Sequence, residues 1–178
     1  MNLAGFKQDH TARSLSFFSE KKVSFVSPEI ISELKKISVK NDGANVRLCL
    51  HASPEDLFHD MVILENKNAR YYRPHCHLDK PETLHIIQGE ATVLLFGNNG
   101  EIDQCIQLSF EGCPIIRINQ GVFHTVVPAM DSVIYHESKP GPFMPESDSV
   151  FPDWAPDGSD SQVTERYIEN LLIASKKK

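Results

Sequence analysis

The sequence predicts a mainly β protein, a sandwich or barrel of short strands with one helix before it and one after. Three observations lead there. Between residues 45 and 140, short runs either alternate apolar and polar side chains or are apolar throughout. Turn-forming residues separate these runs at even intervals: Gly89, Gly97-Asn98-Asn99-Gly100, Gly112 and Gly121. Apolar residues at helical spacing lie outside this region, on either side of it. Many short strands at even spacing make a sandwich or barrel, not a sheet of alternating strands and helices.

Residues 1–44 read as an extension carrying one helix. Ser27 is a good N-cap, Pro28 suits the first helical position and Glu29 places an acid in the first turn. Ile30, Ile31, Leu34 and Ile37 recur at helical spacing, and Asn41-Asp42-Gly43 ends the pattern. Val23-Ser24-Phe25-Val26 is strand-like and is expected to cover an open sheet edge, within the chain or across to a partner.

Residues 45–140 form the strand region. The expected strands are 45–51, 61–64, 83–88, 91–96, 102–108, 115–118, 122–127 and 133–136, with Gly97-Asn98-Asn99-Gly100 as a hairpin turn. Residues 141–178 combine a segment rich in Pro, Asp and Ser with a last helix, from about Ser161 to Ala174. Val163, Tyr167, Leu171 and Ile168 lie on its apolar side. The only tryptophan, Trp154, sits in this segment, which reads either as a lid over a barrel mouth or as a packed surface extension. The whole length suits one domain.

Composition excludes several functions. The formal net charge is −6, and no block of Lys and Arg forms a phosphate-binding face, so nucleic acid is not an expected partner. The lysines at 176–178 read as a solvated tail. No apolar run approaches membrane-spanning length, and the N-terminus lacks a secretory pattern. Cys49, Cys76, Cys105 and Cys113 form no Cys-x-x-Cys pair; reduced thiols in the cytoplasm are expected.

The chemistry concentrates between Arg73 and Gly89. Residues two apart on a strand point to one side, so His75 and His77 aim imidazoles into a shared space while Cys76 faces away. After four intervening residues, enough for a turn, Glu82 can return a carboxylate beside them. Imidazole with carboxylate is a good ligand set for a first-row divalent ion. Gly121-Val122-Phe123-His124 then places a further histidine after a glycine turn, as a distant strand of a closed barrel would. If Glu82 points inward, Leu84 and Ile86 do too, which puts His85 on the outer face and excludes it as a ligand.

These residues resemble the cupin superfamily. His75-x-His77-x4-Glu82-x6-Gly89 fits the first cupin motif, and Gly121-x2-His124 the core of the second. Ala69, Asn119 and Pro128 depart from the usual motifs at turn positions that do not bind metal. Within the superfamily the chain is similar to the WbuC family of cupin metalloproteins. The resemblance rests on Arg47-Leu48-Cys49-Leu50-His51, His59-Asp60-Met61, Tyr72-Arg73-Pro74-His75, Lys80-Pro81-Glu82, Phe96, Glu137-x-Lys139-Pro140-Gly141-Pro142-Phe143 and Trp154-Ala155-Pro156, roughly residues 20 to 157. It implies a double-stranded β-helix, a jelly-roll barrel, holding one divalent transition metal ion on His75, His77, Glu82 and His124. Zinc is the first choice among zinc, iron, manganese and nickel.

The resemblance also implies a setting, bacterial surface-polysaccharide (O-antigen) gene clusters, but no established reaction. Three readings stay open: Lewis-acid chemistry on a carbohydrate or sugar nucleotide, as an isomerase or epimerase; a non-catalytic metal-dependent binding module; and an iron dioxygenase. Arg47, His59 and Lys80 are candidates for holding a sugar-like or anionic small molecule, against the plainer reading of ordinary structural pairs. His59 and Tyr72 are the candidate acid–base residues. A homodimer is expected, since open strand edges need cover.

Overall fold

The computed structural model describes residues 3–12, 14–67 and 71–175. Ala69 and the lysines at 176–178 lie outside the described residues. The chain runs β1 (Phe6–Asp9), β2 (Leu15–Ser19), α1 (Pro28–Lys40), β3 (Val46–Cys49), β4 (Phe58–Asn66), β5 (Glu82–Gln88), β6 (Glu90–Phe96), β7 (Ile102–Ser109), β8 (Ile115–Ile118), β9 (Phe123–Pro128), β10 (Ser132–Pro140) and α2 (Ser161–Ser175).

Two sheets face one another. One has the order β1-β2-β3-β4-β10-β5-β8, and the other β7-β6-β9. The small sheet continues past β9, because His75 and His124 form an antiparallel bridge. Four strands, β4-β10-β5-β8, thus face the 75–76 segment, β9, β6 and β7. That order is the jelly roll, the double-stranded β-helix of cupins. The expected mainly β barrel with a helix at each end is therefore the observed fold.

Strand β4 is longer than the apolar run 61–64, and the reason shows how the sheet is used. His59, Met61, Ile63 and Glu65 alternate toward the barrel interior; Met61 and Ile63 join its core with Leu84, Ile86, Val93 and Tyr135. Val62 and Leu64 point the other way, under α1, with Leu34, Ile37, Leu48 and Ile134. The polar ends of β4 hide it from a search for apolar runs, and β10 is extended in the same way.

Helix α1 starts where its capping residues place it. The Ser27 hydroxyl accepts from the Ile30 N–H at 3.4 Å, and Pro28 opens the helix. Burying Leu34 and Ile37 against the sheet contributes about 1.5–3 kcal/mol each. Val23–Val26, in contrast, forms no strand: Val23 is 75% and Phe25 64% exposed. The edge of β3 is covered by the β1–β2 hairpin instead, with β2 pairing β3 in parallel. Its four- and five-residue strands are too short to give a periodic signal.

Helix α2 packs on the outer face of the small sheet, where Leu171 joins Leu94, Phe96 and Ile102 with Tyr167 and Ile168 alongside. Val163 is half exposed; Thr164 takes the buried place expected for it. Trp154 packs on Phe96 and Phe123, and its indole N–H donates to the Asn98 carbonyl at 3.0 Å. The tryptophan therefore belongs to a packed extension over the β6–β7 hairpin and is not a lid.

Gly89, the last residue of the first motif, has φ +82°, and a Cβ there would stand 2.7 Å from the Ser132 carbonyl oxygen. Gly43 has φ +75° with open space around it. Gly43→Ala should cost about 1 kcal/mol of backbone strain. Gly89→Ala should cost more, about 2–3 kcal/mol, because β5, β6 and β10 must also part. Urea unfolding of the two variants checks this; equal losses would show that the Ser132 contact does not matter.

Candidate metal centre

The metal-type residues come together at one end of the barrel because of backbone pairing. His75 N–H donates to the His124 carbonyl at 3.0 Å, and His124 N–H returns the bond at 2.9 Å. Gly121 N–H donates to the His77 carbonyl at 2.7 Å, which ties the second glycine turn to the first His pair. His75, His77 and His124 each offer a nitrogen within 4.8 Å of the others. Cys76 faces away and is buried, and its neighbour across is Val150. Glu82 enters from the opposite sheet, where it begins β5 beside Ile118 of β8.

The three rings share one orientation. Nδ1 of His75 lies 3.1 Å from the Arg73 carbonyl, Nδ1 of His124 lies 2.9 Å from the Val122 carbonyl, and Nδ1 of His77 meets the Asp148 carbonyl. A carbonyl accepts only, so each bond assigns the proton to Nδ1. Every Nε2 lone pair is then left for the interior. Nε2 of His124 lies 2.6 Å from Glu82 Oε1, and Nε2 of His77 lies 3.3 Å from Glu82 Oε2. His77 Nε2 is buried without a hydrogen-bond partner. Lone pairs of imidazole and carboxylate facing at these distances require a proton or a cation between them. The donor set therefore fits a divalent ion, with the carbonyls fixing the tautomers as hydrogen-bond acceptors behind metal histidines do.

Electrostatics agrees. Burial, helped by the neighbouring His124, pushes the His75 pKa down to about 4, so its ring is neutral near pH 7. Burial opposes ionisation of Glu82, yet the adjacent imidazoles, His124 foremost, hold its carboxyl well below the usual range. Burial would likewise lower His124, but Glu82 outweighs it and raises the ring.

The other candidates divide. Lys80 is buried and 2.5 Å from Asp148 Oδ1, not exposed on the turn. Arg47 faces the barrel interior beside Glu137 and Glu65. His59 is buried, but its Nε2 lies 3.1 Å from the Pro54 carbonyl and its ring stacks on His51 at 4.3 Å. The Tyr72 side chain is part-buried beside Glu65, and the Tyr135 hydroxyl donates to the Glu65 carboxylate at 2.9 Å. His85 is exposed on the outer face. Burial pushes the Cys49 thiol up to about 12, which leaves it inert near neutral pH.

Sequence reasoning missed Asp148, Glu137 as a member of the site, and Glu65. Lys139 lies 3.2 Å from Glu137 and 3.6 Å from Asp148, so acids and bases alternate from Lys80 inward. Glu65, Glu137 and Lys139 sit at inward-facing strand positions and were legible by parity. Asp148 lies in an irregular segment whose composition carries no such signal.

A family model described as Domain of unknown function (DUF6016) matches residues 26–108. That span takes in α1, His75, His77 and Glu82 but ends before His124. No curated protein matches the sequence. Among solved structures the chain is similar to the capsular polysaccharide assembling protein CapF from Staphylococcus aureus, at 18% identity over 62% of this chain and 30% of that one (TM-score 0.48). It is similar to protein SO0799 from Shewanella oneidensis, at 12% identity over 82% and 77% (TM-score 0.46). It is also similar to the Cnp3 cupin domain of Schizosaccharomyces pombe, at 13% identity over 54% and 64% (TM-score 0.43). The match spans about a third of the CapF chain. The fold itself rests on the strand order given above.

Glu65 supplies a pH test of the interior. Burial pushes its carboxyl up to about 7 from 4.5, against the opposing Tyr135 hydrogen bond. A raised acid contributes stability that is present below pH 4.5 and lost as pH rises through 7. Wild type should therefore lose up to about 3 kcal/mol relative to Glu65→Gln between pH 4.5 and 8. Urea unfolding at both pH values measures the gap, and a gap independent of pH would show that Glu65 titrates normally.

Proposed function

We propose that this protein is a metal-dependent cupin of the WbuC type that acts on a polar small molecule, a carbohydrate or sugar nucleotide used in bacterial surface-polysaccharide synthesis. The observation that carries the metal reading is the shared tautomer: three Nδ1 atoms on backbone carbonyls, three Nε2 atoms turned inward and Glu82 against two of them. His75, His77, Glu82 and His124 would hold one divalent ion, zinc by first choice. Such an ion supplies a Lewis acid for a substrate carbonyl or hydroxyl oxygen. Arg47 and Lys80 are the cationic groups that would hold an anionic or hydroxyl-rich ligand, in exchange for their present neighbours Glu137 and Asp148. A cytoplasmic homodimer is part of the proposal. Among the described residues no helix is long and apolar enough to cross a membrane.

One observation favours a second reading, a binding module without turnover. One of the two candidate acid–base residues is engaged elsewhere, His59 with Pro54 and His51. Protein purified without nickel affinity should carry about one ion per chain by elemental analysis, and His75→Ala should carry almost none. Retention of the ion in His75→Ala would end the metal reading. With the ion loaded, a panel of sugar nucleotides should show turnover that His75→Ala loses. Saturable binding with no conversion across the panel selects the binding module, and oxygen uptake after anaerobic iron loading selects a dioxygenase.

A further inference from the structure

The segment after the barrel returns to the metal strand. Cys76 N–H donates to the Val150 carbonyl at 3.0 Å, and Val150 N–H donates to the Cys76 carbonyl at 2.9 Å. These two bonds add a rung to the small sheet beyond His75 and His77. Two residues earlier, the Asp148 carbonyl accepts the His77 Nδ1 proton. The Arg73 guanidinium donates to the Pro152 carbonyl at 2.9 Å and the Ala155 carbonyl at 3.2 Å, and lies 5.2 Å over the Phe151 ring. Phe151 also stands 6.1 Å from the His75 ring. The stretch 148–155 thus touches the metal strand at Arg73, His75, Cys76 and His77.

Three charges fix where this stretch sits. The Asp148 carboxylate is 2.5 Å from Lys80 and 3.6 Å from Lys139, and all three side chains are nearly inaccessible. Lys80 lies on the turn between His77 and Glu82, and Lys139 on β10. Asp148 therefore joins the ligand turn to the large sheet through its side chain while its backbone holds His77. A surface ion pair of this kind would contribute little, but a buried pair cannot lose one partner without leaving the others uncompensated.

We propose that residues 148–155 are a clasp of the metal centre, and that Asp148 is a positioning residue that sets metal affinity by holding the His77 ring through Lys80 and Lys139. This rests on the metal reading above. The clasp fixes the His77 tautomer and rotamer before the ion arrives. By reciprocity, a segment that strengthens ion binding is itself stabilised by the ion to the same extent.

The test uses cobalt(II) and zinc(II) alone as probes on the full chain. Wild type should bind one cobalt ion with a visible absorption band, and His75→Ala should not. Asp148→Asn and Lys80→Met should each keep one site and weaken it 10- to 100-fold, the range seen when outer-shell partners of metal histidines are lost. Circular dichroism of the metal-free variants checks that they fold. Hydrogen exchange on wild type needs no variant: the Cys76 and Val150 amides should exchange at least 10-fold more slowly once zinc is bound. If His75→Ala binds cobalt as wild type does, the metal reading itself fails. If His75→Ala loses the ion but both folded variants bind it as wild type does, or if exchange at Cys76 and Val150 ignores zinc, the clasp is wrong while the metal centre stands.

Discussion

The reciprocal backbone pair between His75 and His124 is the constraint on which the rest depends. It is a rung of the small sheet and the junction of the two sequence motifs at once. Backbone groups in a sheet must be paired, so a segment placed beside β9 is held in register by a requirement that has nothing to do with metal. Once that register is set, alternation puts His75 and His77 on the inner side with His124 and sends Cys76 outward. Glu82 comes from the facing sheet and meets two of the three rings. The site is therefore a property of barrel closure, with its backbone register set by pairing to β9.

Burying so many ionisable groups at one end of a small barrel has a cost on the order of several kcal/mol per ion unless each finds a partner. The arrangement answers this by alternation: Lys80 with Asp148, Asp148 with Lys139, Lys139 with Glu137, and Arg47 beside Glu137. Glu65 is the exception, accepting from the Tyr135 hydroxyl and tending toward its neutral form. The interior thus grades from a charged end at the histidines to apolar layers of Met61, Ile63, Leu84 and Ile86. The apolar layers keep the barrel stable and leave the ionisable groups to its other end.

The outer faces divide the remaining work. Helix α1 seals one face of the large sheet with Leu34 and Ile37, which frees β4 to use its inner face for polar residues. Helix α2 and Trp154 seal the small sheet around Leu94, Phe96 and Ile102. Trp154 anchors the far end of the 141–156 segment at the β6–β7 hairpin, so the stretch from Asp148 to Ala155 is stretched between two fixed points rather than left as a loose loop.

Much of this was legible in the sequence. Short alternating runs with glycine turns specify a sandwich or barrel, because a period of two fits a half-buried strand and little else. The shared side of His75-x-His77 follows from the same period, as does the opposition of His85 to Glu82. Ser27-Pro28 marked the helix start because orphan N–H groups need a cap there. The β1–β2 hairpin was not legible, since strands this short gain their stability from pairing with β3 and not from their own residues. Val23–Val26 carried strand propensity without an edge to pair with. The ends of β4 and β10 were hidden because polar residues there answer to the site and not to the core. Sequence alone determined which residues offer metal-type side chains and which neighbours on one strand share a face, because alternation is local. Only the tertiary structure decided that Asp148, Lys139 and the 148–155 stretch complete the site. Their contacts join elements distant in the chain, and no local rule of spacing records which distant charge will neutralise a buried one.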